Sequence, residues 1–159
     1  MGDTLERRGA YTSERVNELV EKLADANESC GEDACVYITG SFARGEASKY
    51  SDLDLFILLR PPDDDAGGER PLSRLDEICL KASLIDAIRS VGIPDFSGDG
   101  EYLVGYTGRK LKDNLGSDVD DSENTFTARL LLLLESKPLV GDEQLYRTSI
   151  TEIYCLPEI

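Results

Sequence analysis

Two kinds of apolar run alternate along this chain. Segments 34–39 (ACVYIT) and 52–59 (DLDLFILL) are short and almost continuously apolar, which predicts two strands, the first of them central in a sheet. Elsewhere apolar residues recur at helical spacing. Val16, Leu19, Val20, Leu23 and Ala24 predict a helix from an N-cap at Ser13 to about Asn27. Leu75, Ile78, Cys79, Ala82, Ile85 and Ile88 predict a buried face on a helix over 73–90. A further helix, capped by Ser122 or Asn124 and running to about Ser136, is expected to bury Phe126, Leu130, Leu131 and Leu134. Its LLLLL run is apolar nearly all round, as in a helix central to the core or at an interface. Residues 142–153 predict a last helix. Residues 93–96 and 101–107 are strand candidates, 42–47 a short helix capped by Ser41, and 111–121 turn-like. The order of strands and helices predicts an α/β (α+β) fold, a mixed sheet with helices packed on it.

Composition narrows the picture. At 159 residues the chain is expected to form a single domain over 1–159, with residues about 1–12 and 61–71 flexible. The second of these contains Pro-Pro, Gly-Gly and Asp63, Asp64 and Asp65, which read as solvated loop acids. No run reaches the ~18 apolar residues of a membrane span, and the first residues lack an apolar signal core, so a cytoplasmic location is expected. The net charge of −15 argues against a nucleic-acid groove, because the basic residues form no long run. The same acidity suits either a high-salt cytosol or plain solubility. There is no histidine, which excludes His-based triads and His-ligated metals. Cys30, Cys35, Cys79 and Cys155 lack the paired spacing of a zinc site and read as free thiols. No Gly-rich run ends in Gly-Lys-Ser/Thr, so a P-loop enzyme is excluded.

The chemistry concentrates in one stretch, ACVYITGSFARGEASKYSDLDLFILL. Side chains alternate along a strand, so Asp52 and Asp54 project to one side, roughly 7 Å apart, and Leu53 and Leu55 to the other. Two carboxylates held this way suit a hard cation such as Mg²⁺. Just upstream, Gly40 and Ser41 offer main-chain N–H groups and a hydroxyl to an anion. Arg44 either forks onto a phosphate or pairs with Glu46.

Gly40-Ser41, ten intervening residues and Asp52-x-Asp54, with an apolar strand on each side, resemble the signature of the DNA polymerase beta-like nucleotidyltransferase superfamily. Within it, GSFARGEASKYSDLDL is most similar to the minimal nucleotidyltransferase domains and the PII-uridylyltransferase group, and LLLLLESKPLVGD is more weakly similar to the latter. The resemblance implies an enzyme that uses Mg²⁺ or Mn²⁺ to transfer a nucleoside monophosphate from a triphosphate, ATP first, to an acceptor hydroxyl, releasing pyrophosphate. It implies metal ligation by Asp52 and Asp54 and nucleotide binding by Gly40, Ser41 and Arg44. It also implies a third catalytic, metal-binding carboxylate on a neighbouring strand, for which Glu101 is the first choice and Asp99 the second. Similar minimal domains act with a separate helical protein, so such a partner, or a homo-oligomer, is expected. The alternative is a catalytically inactive nucleotide-binding or interaction module with the same fold.

Overall fold

The computed structural model describes residues 2–62, 70–96, 100 and 103–155. Strands β1 (Ala34–Ile38) and β2 (Leu55–Leu59) pair antiparallel from Ala34 opposite Leu59 to Ile38 opposite Leu55. Every residue of both strands is buried. Two further strands flank them. β3 (Gly105–Tyr106) runs parallel to β2, and β4 (Lys137–Gly141) antiparallel to β1, giving a mixed sheet in the order β3-β2-β1-β4.

Alternation along β1 and β2 builds a core on each side of this sheet. Val36, Ile38, Leu53, Leu55 and Ile57 face helices α1 (Gly2–Lys22), α2 (Ala24–Cys30) and α4 (Arg74–Ser90), through Leu19, Leu23, Ala26, Leu80, Leu84 and Ile88. Cys35, Tyr37, Phe56, Leu58 and Tyr106 face α5 (Gly108–Asp113), α6 (Thr125–Glu135) and α7 (Glu143–Tyr154). Tyr37 stacks on Phe56 with centroids 5.4 Å apart and donates its hydroxyl to the Ala128 carbonyl at 3.1 Å. The short α3 (Gly40–Arg44) follows β1 directly.

Several elements differ from the sequence expectation. The first helix begins at Gly2, not Ser13, and breaks at Leu23 before α2. Thr12 explains part of this. Its hydroxyl donates to the Arg8 carbonyl at 2.7 Å and accepts from the Ala47 amide at 3.0 Å, fixing the early turns to the body of the molecule. Ser73 caps α4 as expected, accepting from the Asp76 amide. The helix, however, buries Leu80, Leu84, Ala87 and Ile88 and exposes Leu75, Ile78, Cys79 and Ala82. The helix carries two apolar stripes, and the sheet takes the one containing Leu80 and Leu84. Residues 93–96 are irregular, α5 (Gly108–Asp113) runs into the start of the 111–121 stretch, whose remainder, 114–121, is turn as expected, and β4 was not foreseen.

The register of α6 is corrected as well. Phe126, Leu130 and Leu134 are exposed, while Ala128, Arg129 and Leu132 are buried. The cause is a buried ion pair. Arg129 donates to Asp120 at 2.5 and 3.1 Å and to the Leu111 carbonyl at 2.6 Å. Thr125 and the Gly116 amide also donate to the Asp120 carboxylate. A buried charge is tolerable only with such partners, so this cluster turns the Arg129 face inward. The Arg129 and Thr125 donations, with burial opposing them, hold the Asp120 carboxyl down at about 2.

Candidate functional site

The predicted Gly-Ser bend and acidic pair meet at one end of the sheet. Beyond the last pair of the β1–β2 ladder, the Thr39 amide donates to the Asp54 carbonyl at 2.9 Å, so Asp54 lies across from Thr39. Gly40 then takes a left-handed φ of 62°, and a Cβ there would sit 2.9 Å from Asp54 Oδ2. A side chain there would press on the carboxylate and sit in a backbone conformation that favours glycine. The N-cap position of α3 is Thr39, not Ser41. Gly40, Ser41 and Phe42 therefore form its first turn, where amides have no intrahelical acceptor. Ser41 Oγ makes no hydrogen bond among the described residues.

Leu53 and Leu55 are buried in the core shared with α1, α2 and α4, while Asp52 and Asp54, in the extended segment leading into β2, are half-buried. Burial raises the Asp54 carboxyl above its ordinary value, and the charges of Asp52 and Glu135 push it the same way. Among the described residues no cation pairs with Asp52 or Asp54. Acidic groups left without a cation partner in this way are the electrostatic setting of a cation site.

Arg44 lies beside this group without facing open solvent alone. Its Nε donates to Glu46 at 3.0 Å, and its Nη1 forms a short ion pair with Glu135. The Glu46 bond and then the Glu135 bond raise the guanidinium further above its ordinary value. Glu135, the last residue of α6, was not singled out from the sequence. It ends an apolar run and carries no motif spacing, and only the packing of α6 against α3 brings it here.

The oxygen-rich set fits a hard divalent cation. Among the described residues, no three of Cys, Asp and Glu converge closely enough to hold a metal by themselves. Asp52 and Asp54 are the described residues that could supply part of a ligand set, which water and phosphate oxygens would complete. Glu101 and Asp99, the expected third acids, lie outside the described residues, as do Asp63, Asp64 and Asp65. The cysteines offer no alternative site. Burial pushes the Cys30 thiol to about 11 and the Cys35 thiol to about 12, while Cys79 and Cys155 are exposed, and all four are free. No helix among the described residues is long and apolar enough to cross a membrane.

No curated protein sequence matches the chain. A solved structure described as the crystal structure of a toxin-antitoxin with AMP-PNP is similar at 15% identity and a TM-score of 0.44, over 87% of this chain and 83% of that one. The family model for the nucleotidyltransferase domain matches residues 16–97, which include the Gly-Ser bend, both aspartates and the strands that carry them. The chain belongs to the nucleotidyltransferase domain family.

Proposed function

We propose that this chain transfers a nucleoside monophosphate from a nucleoside triphosphate, ATP first, to an acceptor hydroxyl in a magnesium-dependent reaction. The observation that carries the reading is the contact of Gly40 with the Asp54 carboxylate, which joins an amide-lined turn to an acidic pair. Nucleotidyltransferase domains generally use divalent metals. Asp52 and Asp54 would hold Mg²⁺ or Mn²⁺, with Glu101 as a further ligand. The metal, when bound, supplies positive charge to the triphosphate and lowers the pKa of the acceptor hydroxyl.

The chain's own groups divide the remaining work. The first-turn amides of Gly40 and Ser41, with the Ser41 hydroxyl, receive the β- and γ-phosphate oxygens. Arg44 supports the triphosphate with a guanidinium held in place by Glu46 and Glu135. The acceptor oxygen forms a bond to the α-phosphorus, the bond from the α-phosphorus to its bridging oxygen breaks, and pyrophosphate leaves with that oxygen. The acceptor proton passes to Glu101 or to water. The exposed residues Phe126, Leu130 and Leu134 of α6 support a helical protein partner, or a second copy of the chain, as a component of the working assembly.

The test uses labelled triphosphates with Mg²⁺ and candidate acceptors. Metal-dependent nucleotide binding and pyrophosphate release are expected, with Asp52→Ala and Asp54→Ala each reducing release by about 100-fold or more. Release that is independent of metal and unchanged by both substitutions sinks the reaction. One observation favours the second reading, an inactive nucleotide-binding module: both carboxylate partners of Arg44 already neutralise its charge. Saturable nucleotide binding with no pyrophosphate release, with the natural partner present, would select that reading.

A further inference from the structure

A recess of about 360 Å³ opens at the end of the sheet opposite the acidic pair. Asp54 leads into β2 and Arg60 leads out of it, so roughly 20 Å of extended chain separates the two places. The recess lies among Pro61, Pro62, the start of α5 and one face of α7, which contributes Leu145, Ser149 and Glu152. Those three positions are four and three residues apart, so they share one side of the helix.

Two oxygens converge here without partners. Only 2% of Ser149 is exposed, yet its hydroxyl makes no hydrogen bond among the described residues. A helical hydroxyl commonly donates back to the carbonyl four residues earlier, as Thr151 of the same helix does to Arg147 at 3.0 Å. Ser149 instead lines the recess. Glu152 lines it too and forms no ion pair, although every lysine and arginine of the chain is among the described residues. A Cβ on Gly108 would meet Glu152 Oε2 at 2.9 Å and Ser149 Oγ at 3.0 Å, so both oxygens face one spot that glycine leaves open.

The other polar groups around the recess are engaged. Arg60 donates to Asp142 at 3.0 Å and to the Glu32 carbonyl at 2.9 and 2.7 Å. Gln144 donates to the Thr148 hydroxyl at 3.3 Å. One carboxylate and one buried hydroxyl are therefore left unmatched, beside the apolar surfaces of Pro61, Pro62 and Leu145.

We propose that this recess binds a small primary ammonium compound with a short apolar body, at a site separate from the transfer chemistry. An ammonium group carries three donors. One meets the Glu152 carboxylate as a charge-assisted bond, another meets the Ser149 hydroxyl, and the third remains in water. The prolines and Leu145 cover the carbon skeleton. No aromatic ring lines the recess among the described residues, so it lacks the cage that a quaternary ammonium uses. An anion would meet Glu152 and Asp142, and the net charge of −15 draws cations to the surface. The volume is at the small end of ligand pockets, about 300 to 1,000 Å³, which suits a metabolite-sized amine and not a peptide.

The test is an amide chemical-shift titration of the labelled full chain with phenethylamine. Phenethyl alcohol is the uncharged control of the same shape, and ammonium chloride the control for attraction of any cation to an acidic surface. Saturable shifts at Gly108 and residues 144–152 are expected with phenethylamine and with neither control. Glu152→Gln is expected to weaken binding about tenfold and Ser149→Ala about threefold. Glu152 is exposed, so its variant should melt as the parent does, and it decides the question if Ser149→Ala fails to fold. No saturable shift, an equal response to either control, or undiminished affinity in Glu152→Gln overturns the site. Equal weakening by Asp52→Ala would show that the amine is drawn to the acidic pair, and overturns the assignment to this recess. Shifts at residues 40–44 and 52–54 on adding magnesium and a triphosphate report the transfer site separately, so either reading can fail while the other stands.

Discussion

Asp54 carries a conflict that a cation would resolve. Its folded-state pKa is raised, so the folded chain holds the proton more tightly than the unfolded chain does. Stability of the metal-free protein therefore falls as pH rises from the ordinary carboxylate value of 3.8 through the raised one, and stays lowered above it. Asp54→Asn should raise the metal-free melting temperature at neutral pH and abolish transfer. Thermal melts with and without Mg²⁺ check this, since added metal should stabilise the parent and leave the variant unmoved. Gly40→Ala is the complementary test. The left-handed φ and the 2.9 Å approach to Asp54 Oδ2 should cost about 1–2 kcal/mol and block magnesium-triphosphate binding, measured calorimetrically. The two aspartates and the bend were legible in the sequence because their spacing is local. Glu135 was not, because a residue far along the chain reaches α3 only through packing.

At the scale of elements, the sheet's inner strands were legible and its edge was not. β1 and β2 are buried on both faces, and continuous apolar runs announce that. β4 contains Lys137 and Pro138 and is largely exposed, so its pattern resembles a loop, and only pairing with β1 makes it a strand. The helix faces were misread where a helix carries more than one apolar stripe. In α6 the choice belongs to Arg129. Arg129→Met would leave Asp120 buried without its cation and should cost about 3–5 kcal/mol in denaturant unfolding. The Asp120 carboxyl, held down at about 2, contributes stability that is complete above its ordinary value of 3.8 and lost as pH falls from there toward about 2. An acid titration of unfolding should show that loss in the parent and not in Asp120→Asn, which begins destabilised.

For the whole molecule, the charge of −15 sets the dominant long-range force. Exposed acids without partners repel one another in the compact state. Raising KCl from about 0.1 M to about 1 M shortens the screening length from ~10 to ~3 Å and should raise the melting temperature of the free chain. A melting temperature that falls over this range would show that the surface ion pairs, such as Arg89 with Asp95, outweigh the repulsion. The bond from the Thr12 hydroxyl to Ala47 reaches across this same scale. It makes the opening helix a tent peg: a shortened version starting at Ser13 would keep both aspartates yet slacken the guy-rope that aims them, and would misleadingly look like a dead enzyme.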